Sequence, residues 1–399
     1  MREMKMADFI FYLALGMYII LSIMNTSLYA QYFPKFYKPG ICMCCCLLFI
    51  REFVKKTSRR RFFLGLLTVL VIVIAIVGQS GANTILTIMI FAISASDLEF
   101  DDIAGISYKL ISSGMLVVIA SSMFGIIDDY VYIMAGKARH YMGFLYALQP
   151  AGLMLELMAL SLYMHRNKRI NKQFPFLLFG MVFVFIMTKS RLTFFLQIIL
   201  ILYDYMYKHQ KKIVVNRIVC SVEKISYIFS VVFSFYFSLT YDKSRWKQLI
   251  NIILANRLAY AKDSLTEHGV KLFGQKITWA GMGLSQNGKR TLESVWDGYN
   301  WVDNAYVQLF QLYGIVVALF FITILTLALF RLVSKKRYYL SFILFLYSMY
   351  GVIDTAPNTL LYNIFWLAVF NACISKHDEK NCKVKELGNY GHSNVCDLT

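Results

Sequence analysis

The sequence is poor in charge, in proline and in acid. Charged residues are 16% of the 399 positions, prolines number 5, and 58% of the chain is hydrophobic. A water-soluble globule carries about a quarter of its residues as charge, so that class is excluded. With so little proline, long runs are free to be helical. Acids number 23 against 41 bases. Cysteine is no framework either: Cys42, Cys44, Cys45 and Cys46 share one apolar run, and none of the eight lies in the long polar segment at 242–304. That excludes an extracellular disulfide scaffold and a zinc site, which would need paired Cys or His in a polar loop. The cysteine run reads as small apolar packing residues. No internal repeat and no cleavable signal peptide are visible.

What is present is a series of apolar runs. A membrane-spanning helix needs about 20 mostly apolar residues, and the sequence predicts twelve, at 8–30, 38–54, 62–79, 82–96, 109–127, 145–164, 174–188, 191–207, 224–241, 305–330, 338–353 and 357–374. The expectation is an all-α polytopic integral membrane protein. It has one transmembrane domain over 1–374, one large extracytoplasmic loop between helices 9 and 10 (242–304), and a polar tail at 375–399. Lys and Arg stay on the cytoplasmic side during insertion. The basic stretches 51–61, 165–172, 208–217 and 331–337 all fall on one side when twelve helices are counted from an inside N-terminus, which predicts both termini cytoplasmic. The net charge of +18 then reports orientation and attraction to anionic membrane lipids, not nucleic acid.

The loop at 242–304 is too long for a plain connector. Its first half, "SRWKQLINIILANRLAYAKDSL", has helical rhythm, with Trp246, Leu249, Ile250, Ile253, Leu254 and Ala261 on one face. This predicts a single interfacial helix with an amphipathic face. At 100° per residue Arg257 emerges from the middle of that stripe, where it needs an anionic partner; a pyrophosphate taking two parallel N–H bonds, a carboxylate and snorkelling to headgroups are the alternatives. Lys189 and Arg191 in "TKSRLTFF" place two cations in a tight outer turn and point to an anion site. Arg139 precedes the sixth run and reads equally as an interfacial anchor. Glu156 lies inside an apolar run, its partner open. His268 reads more readily as a solvated loop histidine than as a base. In "WVDNAYVQLFQLYGIV", Asp303 and Asn304 stand at a helix entrance, where an Asp serves either as an N-cap or as part of a site.

The motifs "TKSR", "ANRL", "LFG" and "DNAYVQLFQLYGIV", in that order and all expected on the outer side, give the chain a resemblance to bacterial Wzy-type polysaccharide repeat-unit polymerases, which are related to O-antigen ligases. By motif the likeness covers about 136–320. The family often carries a GxG soon after the Arg-bearing helix; here Gly274 is followed by Gln275 and Lys276, so no residue in 272–300 is carried over as catalytic. The resemblance implies glycosyl transfer on the outer face of the bacterial cytoplasmic membrane, for O-antigen, capsule or exopolysaccharide, with undecaprenyl-pyrophosphate-linked glycans as substrates. It also implies the flippase and chain-length regulator of the same pathway as partners. On that reading Arg191 and Arg257 meet the pyrophosphate and Asp303 is the base. Arg139, Lys189 and Asn304 assist as substrate contacts, and neither metal nor other cofactor is required. The adjacent acids Asp128 and Asp129 diverge around a helix and suit chelation poorly. A lipid-linked oligosaccharide flippase and a ligase-like transferase are the rival readings.

Overall fold

The computed structural model describes residues 6–55, 65, 83–134, 137–168, 171–242, 244–292 and 298–374. The span expected at 62–79, apart from Gly65, and the tail expected at 375–399 lie outside them. The described chain is mostly helical. Its helices are α1 (Met6–Thr26), α2 (Tyr37–Val54), α3 (Asn83–Ala95), α4 (Phe100–Met123), α5 (Leu148–Met164), α6 (Phe174–Thr188), α7 (Arg191–His209), α8 (Arg217–Leu239), α9 (Arg245–Ile253), α10 (Arg257–His268), α11 (Ala305–Ser334), α12 (Tyr338–Ile353) and α13 (Trp366–Ile374), with a one-turn helix at Lys211–Val214. Four of them, α1, α4, α8 and α11, are long and apolar enough to cross a membrane.

Several expected boundaries shift. Helix α4 begins nine residues ahead of the apolar run because Asp101 and Asp102 occupy its first turn, where carboxylates favour the helix N-terminus. Helix α8 begins seven residues early, capped by the Asn216 side chain, which accepts from the Ile218 N–H at 2.8 Å. The last expected span, 357–374, is not one helix. Two 3-10 turns (Ala356–Asn358 and Leu360–Tyr362) precede the nine-residue α13. Glu156, wholly buried on α5, holds this irregular segment: its Oε1 accepts the Ile364 N–H at 3.1 Å, and the Tyr347 hydroxyl donates to Oε2. A two-stranded hairpin, β1 (Val131–Met134) with β2 (Lys137–His140), stands where only a connection was expected.

The helix ends collect at two levels. At one, wholly buried Arg51 donates to the Ala7 carbonyl (3.0 Å), the Ser94 carbonyl (2.6 Å) and Asp97 (3.1 Å), tying α1, α2 and α3. Arg166 pairs with Asp101 there (2.6 Å), and the Tyr339 hydroxyl donates to Asp204 (2.9 Å). The other level carries the hairpin and the long polar loop, and is called the loop end below. Helix α8 shows the inside-out pattern of a helix facing lipid. Ser226, Ser230, Ser234 and Ser238 line its buried face and let it approach α11 and α12, whereas Ile225, Phe229, Val232 and Tyr236 are exposed.

Helix α11 is broken. Gly314 has φ 83° and ψ 169°, and the segment 271–275 of the long loop docks into the gap. The Ile315 N–H donates to the Lys271 carbonyl (3.1 Å), Val316 N–H to Leu272 (3.3 Å) and Gln275 N–H to Leu312 (3.3 Å). The loop thereby supplies partners that the interrupted helix cannot supply itself. Both glycines at the crossing are required: a Cβ on Gly274 would sit 2.1 Å from the Leu312 oxygen, and one on Gly314 would sit 2.3 Å from the Gly274 nitrogen. Gly274→Ala and Gly314→Ala are each expected to destabilise the protein by more than about 2 kcal/mol, read as a fall in the thermal unfolding midpoint of the detergent-solubilised protein.

Candidate active site at the loop end

The polar segment starts with two helices where one was expected. The chain turns at Ala255 (φ 52°) and Asn256 (φ 66°), both left-handed, and Asn is among the residues that tolerate this conformation best. The turn cancels the geometry that put Arg257 on a stripe with Trp246. In the structure Trp246, Leu249 and Ile253 on α9 face outward, whereas Arg257 opens α10 pointing inward, 8% exposed.

Asp303 lies in the extended stretch before α11. It does not cap that helix. Asn304 does: its Oδ1 accepts from the Tyr306 and Val307 N–H groups at 3.1 and 3.0 Å, and its Nδ2 donates to Ser234 Oγ (3.0 Å) and the Val352 carbonyl (3.1 Å). Asn304 is 2% exposed. These four bonds tie its side chain into the fold. With the cap supplied by its neighbour, the Asp303 carboxylate turns to Arg257, Oδ2 standing 3.6 Å from Nη2, the two side chains 13% and 9% exposed.

A third charged group completes the site. Asp354 ends α12, its Oδ1 accepting from the Ala356 N–H at 2.9 Å. Two bonds clamp its segment to that of Asp303: Asn304 Nδ2 to the Val352 carbonyl, and Asn358 Nδ2 to the Ala305 carbonyl at 3.0 Å. Sequence reasoning missed Asp354, although it is the only acid in 338–374 and stands directly after an apolar run. Tyr146 and Tyr299 lie within electrostatic reach of Asp303, Asp354 and Arg257, and the Tyr299 ring meets that of Tyr260 at 4.9 Å. The buried Tyr350 and Tyr362 lie within electrostatic reach of Asp354 as well.

Burial raises the proton affinity of Asp303, to about 6; Arg257 opposes the rise and Asp354 adds to it. Asp354 is raised too, by burial, again with Arg257 opposing. Two carboxylates around one guanidinium titrate as a pair, and this pair holds a proton closer to neutrality than free carboxylates do. Arg257 has donors to spare. Its Nη1 reaches the Leu254 carbonyl at 3.3 Å, and its buried Nε has no hydrogen-bond partner among the described residues. The arrangement combines carboxylates of raised proton affinity with a desolvated cation able to bind an anion.

The other expected cations stand on other elements. Arg191 is the exposed first residue of α7, two positions before Thr193, which lies beside Tyr350. Lys189, half-buried in a left-handed conformation (φ 54°), ends α6, and its carbonyl accepts the Arg191 N–H at 3.1 Å. Arg139 is half-buried on β2, opposite Tyr132. It acts together with Arg290 on Tyr141, and Arg290 lies 5.0 Å over the Tyr130 ring. The hairpin packs against α6. His268 closes α10, with Nε2 3.9 Å from the Glu267 carboxylate and its carbonyl accepting from Gln275 Nε2 at 3.0 Å.

The protonated carboxyl stretch of the pair, followed by infrared spectroscopy against pH, is expected to titrate above the ordinary carboxylate range. Asp354→Asn removes a neighbouring negative charge, so the Asp303 transition should move to lower pH; Arg257→Gln removes the opposing positive charge and should move it up. Comparison with known family models, curated proteins and solved structures finds no match to this chain, so the reading of the site rests on its geometry.

Proposed function

We propose that the chain is a metal-independent membrane glycosyltransferase of the Wzy type. It joins undecaprenyl-pyrophosphate-linked repeat units into a surface polysaccharide on the outer face of the bacterial cytoplasmic membrane. The observation that carries the reading is the Arg257, Asp303 and Asp354 centre: a desolvated guanidinium, its Nε unpartnered among the described residues, beside carboxylates of raised proton affinity. The twelve crossings, the outer placement of the loop end and the cytoplasmic termini belong to the same proposal. They are supported by the collection of helix ends at two levels and by the basic residues of the sequence.

In the reaction a terminal hydroxyl of one lipid-linked unit attacks the anomeric carbon of the growing glycan. The bond from that carbon to the pyrophosphate oxygen breaks, and its electron pair leaves on the pyrophosphate. Asp303 accepts the hydroxyl proton as the new glycosidic bond forms. Arg257 receives the developing phosphate charge, which costs no reorganisation because the guanidinium is already desolvated. Arg191, at the exposed start of α7, extends the positive surface toward the diphosphate.

The test is the purified protein in detergent with lipid-linked repeat units, where sidedness is abolished. Chain extension is expected. Asp303→Asn should lower its rate by about 10²-fold or more, and Arg257→Ala by a comparable factor, with both variants retaining the wild-type thermal midpoint to within a few degrees. Absence of extension by the folded wild type would favour a transporter. Full extension by Asp303→Asn would remove Asp303 from the chemistry.

A further inference from the structure

Helix α9 is amphipathic the wrong way round for a helix lying on a soluble surface. Its buried face is polar, made by Lys247 and Asn251, while Trp246, Leu249, Ile252 and Ile253 are each more than half exposed. Those four occupy an arc of about 120° at 100° per residue, with Arg245 at its edge. Lys247 Nζ donates to the Thr240 carbonyl and to Asp242 (3.1 Å), fastening α9 to the end of α8. The apolar arc runs on from the exposed flank of α8, where Val232, Tyr236 and Leu239 face outward, and the Trp246 ring meets Phe237 of α8 edge-on at 6.0 Å. Helices α8 and α9 thus share one continuous apolar exterior, turned through a corner.

The polar face of α9 is joined to Arg257 through one side chain. Asn251, 4% exposed, accepts on Oδ1 from the Leu258 and Ala259 N–H groups at 3.1 and 3.2 Å, so that α9 caps α10 across the left-handed turn. Its Nδ2 donates to the Tyr241 hydroxyl and to Asn256 Oδ1, both at 3.2 Å, and its carbonyl accepts the Asn256 N–H at 2.7 Å. Arg257 is the first residue of the helix held in this way.

We infer that α9 is an in-plane membrane anchor whose outer face is occupied by the headgroup and acyl-chain boundary of the bilayer, and that Asn251 is the positioning residue through which this anchor holds Arg257 inside the loop end. Lipid is the occupant because the arc continues the lipid-type exterior of α8, and because Trp and a flanking Arg are the residues that settle at that boundary. Membrane immersion then fixes the depth of Arg257 whatever anion it binds, so the inference stands apart from the proposed reaction.

The test uses the full chain reconstituted in phosphatidylcholine nanodiscs containing phosphatidylglycerol. Tryptophan fluorescence is quenched in turn with shallowly brominated lipid, deeply brominated lipid and aqueous iodide. The difference between wild type and Trp246→Phe isolates Trp246, which should be quenched by the shallow bromines and be shielded from iodide. Iodide quenching without lipid quenching would place water or another protein on the arc and overturn the anchor. The coupling is read by phenylglyoxal modification of Arg257, mapped by mass spectrometry. Arg257 should be protected in the wild type and react several-fold faster in Asn251→Ala and in Leu249→Glu/Ile253→Glu. Asn251→Asp, which keeps the acceptor for Leu258 and Ala259, should restore most of the protection. Should Asn251→Ala fail to fold, the double variant alone decides: unchanged protection of Arg257 would overturn the coupling.

Discussion

A helix in hydrocarbon cannot leave backbone groups unpaired, and the break in α11 at Gly314 makes that constraint govern the whole loop end. The gap is filled by 271–275, so the long loop is built into a membrane-type helix rather than draped over it. Gln311, on the same half-helix, adds bonds from its Nε2 to the Ser264 and Gly269 carbonyls (3.0 and 3.3 Å), while Ser264 Oγ donates back to its Oε1 at 3.0 Å. These lock α10 against 305–313. Arg257 opens α10 and Asp303 leads into α11, so their approach follows from where the loop enters the break. Residues 315–334 still form a run of about 30 Å at 1.5 Å per residue, the thickness of a bilayer core.

Hydropathy made much of the helical framework legible. The helices at 174–188 and 338–353 lie on the predicted residues, because each is bounded by polar groups that end the apolar run where they end the helix. It failed at 357–374. There Leu360, Leu361, Ile364 and Phe365 are buried and apolar, yet their backbone is shaped by Glu156 and Tyr347 from other helices. Apolar content reports burial, not backbone conformation, so a packed turn and a helix look alike in such a run.

The centre was partly legible, and for one residue the reasoning was displaced. Arg257 drew attention as a cation on an apolar stripe, but the left-handed turn at Ala255 and Asn256 dissolves that stripe and buries Arg257 by another route. The signal in the chain was Asn256, a residue suited to positive φ in the middle of an otherwise helical pattern. Asp303 stood out beside a helix start, while its freedom from capping depends on Asn304 reaching Ser234 and Val352, contacts between distant segments. Asp354 was hidden by the apolar residues before it, since a lone acid at the end of a run reads as a boundary.

Two carboxylates about one guanidinium give this centre a property that a single ion pair lacks. With both acids ionised the trio carries one net negative charge and repels an anion; with one proton retained it is neutral, and the Nε of Arg257, unpartnered among the described residues, can be offered outward. An anion that engages Arg257 weakens the attraction holding the acids ionised, and so raises their affinity for a proton. By linkage the effect is reciprocal: proton uptake by the pair strengthens anion binding. In a transfer reaction this coupling acts in the useful direction. As negative charge grows on a departing phosphate and draws on Arg257, Asp303 becomes a stronger base at the moment that the attacking hydroxyl must lose its proton.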